Sequence, residues 1–305
     1  MKAIIGLMLA LIVTTTGAQA ASKSTGQSDY ITDNDRIPVG GRDVQVSVEQ
    51  SQIGTSFDTG RVASPPGGGL LDTLIIGAMD NKRELIAASL AERADGTVSP
   101  LRKILENVDV GALAVSHTNA AFAKLDWFEL NQIIFTKDQD QDNPFTLFES
   151  NAAPQVGLVD YHYELSPDFS HIRIIAEVSL ARQGEKKRTK KNPAYQIFFR
   201  QNLISIVQLH KRSYEHHENV ASWSADDGKL AKQALTAAFV QIERLIPFAL
   251  GLSQSDIASY SSKKREKAFG AGLYGPLIER GKNGAGDILI WNDGLTHIQT
   301  LPGDA

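Results

Sequence analysis

Residues 156–209 contain two runs of alternation that share one register. In the first, Val159, Tyr161, Tyr163 and Leu165 alternate with Leu158, Asp160, His162 and Glu164. After "SPDFSH", Ile172, Ile174, Ala176, Val178 and Leu180 alternate with Arg173, Ile175, Glu177 and Ser179. A period of two sends successive side chains to opposite faces of a strand. With a reversal near Asp168, Leu165 falls opposite Ile172, Tyr163 opposite Ile174 and Val159 opposite Val178. The same register sets Glu164 opposite Arg173 on the polar face. A slip of one residue would turn the charged set inward, so the pairing is strongly specified. "YQIFFRQNLISIVQL" (195–209) is long enough to add a third strand, which gives an antiparallel meander.

A helix with a matching apolar face follows. Ala231, Ala234, Leu235, Ala238, Phe239, Ile242, Leu245 and Ile246 recur at helical spacing. Ser224, with Asp227 three residues later, is the expected N-cap, and Pro247 is expected to kink or end the helix. "GDILIWNDGLTHIQTL" (286–301) reads as a hairpin turning at Asp293-Gly294. The expected fold is α+β: an antiparallel β-meander packed by a long amphipathic helix, preceded by an N-terminal strand/helix region and closed by a C-terminal hairpin.

The N-terminal region begins with "DVQVSVEQSQI" (43–53), whose valines alternate with polar residues as in a half-buried strand. In "SPPGGGLLDTLIIGAMDN" (64–81) the glycines suggest a phosphate loop. That chemistry needs Lys-Ser/Thr after the last glycine, and Leu70-Leu71 stand there. A small-residue helix is expected instead. Asn81 and Glu84 resemble a capping box that opens a helix through Arg93. Ser99 as N-cap and Pro100 in the first turn predict a second short helix. Residues 110–124 read as helix, and 125–136 as strand.

"MKAIIGLMLALIVTTTGAQA" has the form of a bacterial secretory signal: Lys2, an apolar run from Ala3 to Val13, and the small-x-small site Ala18-Gln19-Ala20. The run is too short to span a bilayer. Cleavage after Ala20 is expected to deliver the chain to the periplasm, with full secretion as the alternative. Residues 21–42 read as a flexible leader and 43–305 as one α+β domain, with any subdivision near residue 150. No cysteine occurs, which removes disulfides, thiol nucleophiles and cysteine metal sites. Of 31 Lys and Arg, Lys2 leaves with the signal; the remaining 30 against 35 Asp and Glu give a net charge of about −5. That balance argues against nucleic acid as a partner. No segment after the signal reads as transmembrane.

Four segments carry donors or charge. Counting from Asp138, the residues Asp138, Asp140, Asp142 and Glu149 take the first, third, fifth and twelfth places of a calcium loop. In these twelve residues the chain resembles an EF-hand loop, and calcium is the one cofactor implied. Asn143 stands in the place of the usual glycine, and "SNAAP" stops an exit helix. The plainer expectation is a solvated acidic turn. "HKRSYEHHENV" (210–220) offers His210, Glu215, His216, His217 and Glu218, donor types that suit zinc but at poor spacing. "GEKKRTKKNP" (184–193) places Lys186, Lys187, Arg188, Lys190 and Lys191 on a strand-joining turn. Such a cluster suits an anionic polymer, lipid headgroups or an acidic envelope protein. "KKREK" (263–267) is a weaker version.

No G-x-S-x-G elbow or S-x-x-K motif occurs. Ser116 and His117 are neighbours in sequence, which is not triad geometry. The functional expectation is a non-enzymatic envelope protein that binds or assembles with a partner. A periplasmic hydrolase using dispersed carboxylates and a calcium-stabilised secreted protein are the alternatives.

Overall fold

The computed structural model describes residues 28–36, 38, 40–48, 50–56, 94–137, 147–148, 154–184, 195–281 and 286–301. The strands are β1 (Arg42–Val48), β2 (Gly54–Thr55), β3 (Leu130–Thr136), β4 (Gln155–Leu165), β5 (His171–Gln183), β6 (Tyr195–Gln208), β7 (Lys267–Gly270), β8 (Leu273–Arg280), β9 (Ile288–Trp291) and β10 (Gly294–Thr300). Helical residues 94–105 form α1, followed by α2 (Val110–Phe122), α3 (His216–Gly251) and α4 (Gln254–Tyr260).

The meander forms in the expected register. Leu165 pairs with Ile172, Tyr163 with Ile174, Val159 with Val178 and Glu164 with Arg173. The Arg173 guanidinium lies 3.2 Å from the Glu164 carboxylate. Antiparallel pairing of β5 with β6 completes the three strands.

The meander is the centre of a larger sheet. Ten strands form it, in the order β3-β1-β4-β5-β6-β10-β9-β8-β7, with β2 added beside β4. Both flanks join through parallel pairs: β1 with β4 on one side and β10 with β6 on the other. The N-terminal strand and the C-terminal hairpin thus extend one sheet.

β1 differs from the half-buried expectation, because all seven of its residues are buried. It lies between two parallel neighbours. The polar phase is satisfied inside: Asn131 and Gln132 donate to Asp43 at 2.8 and 2.9 Å, and Ser47 donates to Asp160. Arg42 is 1 % exposed; its guanidinium donates to Gln155 Oε1 and to the carbonyls of Trp127 and Phe128.

α3 packs along one face of the sheet and buries the predicted stripe from Ala231 to Ile246, together with Ala249 and Leu250. It is the one helix among the described residues long and apolar enough to suit a membrane, and half of its most apolar window is buried. Two expectations about it change. The helix starts at His216, and it breaks at Ala225–Gly228, where Asp226, Asp227 and Gly228 have positive φ. Ser224 is therefore no cap, and its buried Oγ has no partner among the described residues. The break follows from packing on both sides. Trp223 is pinned by its Nε1–H donating to Phe169 O at 2.8 Å. Gly228 passes so close to Ile104 that a Cβ would lie 2.4 Å from its Cγ2. Pro247 lies inside the helix, which runs on to Gly251.

Ser99 and Pro100 likewise lie within α1 and do not start a helix. The expected leader is anchored from Ser28, which bridges to Phe199, and Ile31 is buried. The C-terminal hairpin turns where expected, with Asp293 and Gly294 at positive φ.

Candidate functional site

The face of the sheet that α3 covers is mostly apolar, with Leu203, Leu289 and Leu295 in the main core. Register also places polar side chains on it. In β10 the residues sharing the phase of Leu295 are His297 and Gln299. His297 stands beside Ser205 of β6 and Leu289 of β9. Asp287, two residues before Leu289, shares that face.

On the helix side, Gln241 and Arg244 are three residues apart and so point the same way. Together with Glu279, Gly281, Asp287, Ile288, Leu289 and His297 they line a cleft of about 370 Å³ between α3 and strands β8–β10. Arg244 donates to Glu279 at 3.1 Å across its rim, and both side chains are about half exposed.

Deeper in, the polar atoms lack partners. Gln241 Oε1, Asp287 Oδ1 and His297 Nδ1 are each buried with no hydrogen bond among the described residues. Buried polar atoms in folded proteins are nearly always satisfied, so these three are open to water or to a polar solute in the cleft. Burial raises the Asp287 carboxyl above its usual range, against the opposing effects of a Thr300 backbone N–H and the Arg244 charge. Burial, and then the Arg244 charge, push His297 down to about 4. His297 is thus neutral at physiological pH, with one ring nitrogen protonated and one a lone pair.

Ser205 and His297 stand on adjacent strands, and Asp287 comes just before the next, β9; the three share a face, which invites a relay reading. Ser205 is fully buried, and among the described residues neither its Oγ nor His297 Nδ1 has a partner. No hydrogen bond from Ser205 to His297 connects the set, so it is not an assembled nucleophile.

The residues singled out by sequence lie elsewhere. Asp138, Asp140, Asp142 and Glu149 are outside the described residues, as are Lys186, Lys187, Arg188, Lys190 and Lys191. His216 and His217 open α3, and the His216 ring packs edge-on to Phe169 at 5.7 Å. Among the described residues no group of three or more His, Asp or Glu side chains is placed to hold a metal. His117 is held by Glu243 at 2.8 Å, not by Ser116. None of the cleft residues was singled out by motif. The available signal was phase: His297 and Gln299 are polar at positions where their strand's alternation calls for apolar residues.

No family model matches this sequence, and no curated protein or solved structure is similar to it at a significant level.

Proposed function

We propose that the protein is an exported, non-enzymatic binding module of the bacterial envelope, and that the α3/β8–β10 cleft is its ligand site. The observation that carries this reading is the set of three polar atoms with no partner among the described residues around a 370 Å³ cleft. Gln241 Oε1 and Asp287 Oδ1 are acceptors, and neutral His297 supplies another acceptor or one N–H. Their complement is a small polar molecule that presents several O–H or N–H donors. An amino sugar or a short amino alcohol has that chemistry. The Arg244–Glu279 pair at the rim would orient it.

The test uses glucosamine and ethanolamine as probes in thermal unfolding of the wild-type chain and of Gln241→Leu. A probe at about 100 times its dissociation constant adds about 2.7 kcal/mol and raises Tm by several degrees. The expected result is a rise in wild type that is absent in Gln241→Leu. An equal rise in both proteins would remove the cleft from the proposal.

A second reading has one observation in its favour. Gly281 N–H donates to Asp287 O at 2.7 Å, so Asp287 faces Gly281, and Glu279 lies two residues before it on the same face. Strand geometry sets such a diagonal at about 7–8 Å between backbone positions, so both carboxyl groups open onto one face, as the acid and base of an inverting glycoside hydrolase must. Burial favours a protonated Asp287, as a general acid requires. Turnover of nitrophenyl glycosides that vanishes in both Asp287→Asn and Glu279→Gln would favour hydrolysis over simple binding.

A further inference from the structure

The β7–β8 hairpin closes one end of the sheet and folds over the face opposite α3. Its inner side is apolar: Ala268 and Leu277 pack with Ile288, Ile290 and Ile298. Gly270 allows the close approach, since a Cβ there would come within 3.1 Å of both Ile288 and Ile298. Ala271 and Gly272 turn the chain with positive φ at both positions, as a tight two-residue hairpin requires.

The outer side has a different composition. Phe269 pairs directly with Tyr274, and Lys267 with Pro276. These four side chains share a face. Phe269 is 70 % exposed and Tyr274 is 62 % exposed. The Lys267 ammonium lies 5.4 Å from the centre of the Tyr274 ring. Lys263 and Lys264, just before the hairpin, are also exposed. Among the described residues no carboxylate pairs with Lys263, Lys264 or Lys267. The nearby Glu266 is engaged by Arg280 at 2.5 Å.

Two adjacent, solvent-facing aromatic rings are unusual on a soluble surface and mark an interaction site. Lysines flank them, and the protein as a whole is acidic. We infer that this hairpin docks on an anionic phospholipid surface. Phe269 and Tyr274 enter the headgroup layer, where aromatic rings are favoured. Lys263, Lys264 and Lys267 meet the lipid phosphates. A sugar polymer fits less well, because the exposed charge beside the rings is the lysines, which suit phosphate better than hydroxyl groups. The inference is independent of what the α3 cleft binds.

The test is co-sedimentation of the full purified chain with vesicles of phosphatidylcholine alone or mixed equally with phosphatidylglycerol. Binding is expected to the mixed vesicles only. Phe269→Ser/Tyr274→Ser lowers the partition about tenfold or more, and each of Lys263→Gln, Lys264→Gln and Lys267→Gln lowers it about fivefold. Phe269→Trp keeps an aromatic ring and reports locally: its added fluorescence shifts to the blue on mixed vesicles and is quenched by brominated lipid. That signal separates hairpin docking from any binding through the apolar run near the N-terminus. Mixed-vesicle binding that survives Phe269→Ser/Tyr274→Ser would overturn the inference. So would an unshifted Phe269→Trp spectrum, or retention on heparin without vesicle binding.

Discussion

At the scale of single residues, burial decides more than position in sequence. Arg42 is fully enclosed, with its charge distributed over Gln155 and two backbone carbonyls and its guanidinium 5.2 Å from the Trp127 and Phe128 rings. Arg42→Ala would strand those acceptors and open a cavity, at a cost of about 3–5 kcal/mol. A urea midpoint for Arg42→Ala near that of wild type would contradict this role. Two buried histidines add to the acid sensitivity of the fold. Burial pushes His171 down to about 4, with Arg173 adding to the shift, and His297 is held equally low. Unfolded histidine titrates near 6.5, so between about pH 6.5 and 4 the unfolded chain binds more protons. Stability is therefore highest above 6.5 and falls as pH drops toward 4, by on the order of 3 kcal/mol for each histidine. His171→Gln should flatten the decline in urea midpoint between pH 7.5 and 5; an unchanged slope would show that His171 is not its source. Neither histidine carries a motif. His297 was legible only as a polar residue in the apolar phase of β10, and the other cleft residues lie on α3 (Gln241, Arg244) and just before β9 (Asp287). A site assembled between one helix and a separate run of strands forms no single motif to read.

Among the elements, the hairpin of β4 and β5 was the most legible. Two alternating runs and one charge pair over-determine its register, and all four expected pairs are formed. The long helix was legible by its stripe and misread at its start. Local spacing made Ser224 a cap, whereas the contact of Gly228 with Ile104, a residue far away in sequence, decides where α3 breaks. β1 was misjudged for a related reason. Alternation predicts one wet face, and Asp43 and Ser47 instead meet amide and carboxyl partners inside. The junction of β10 with β6 depends on a single glycine. Gly294 has φ of +130°, and a Cβ there would stand 2.0 Å from Asn202 O. Gly294→Ala should force these strands apart and cost several kcal/mol, more than a surface substitution. Hydrogen exchange should then show lost protection in β10 while the β4–β5 hairpin stays protected. Uniform protection in both would contradict the assignment.

For the whole molecule, the meander supplies the centre of the sheet and two parallel pairs attach its flanks. Parallel neighbours need not be close in sequence, which is why the sequence showed three separate regions where one sheet forms. The right flank brings β8–β10 beneath the end of α3 and so creates the cleft. Its polar atoms are costly to leave unpaired, and a protein retains such a cost where function requires it. The most direct measurement is the unfolding free energy, at neutral pH and without added solute, of Gln241→Leu and Asp287→Asn against wild type. If the cleft is kept for binding, both substitutions remove a buried, unpaired acceptor or a disfavoured charge, and stability rises by about 1 kcal/mol. A loss of 1 kcal/mol or more in both would show that these groups hold the fold together, and would contradict the cleft as a ligand site.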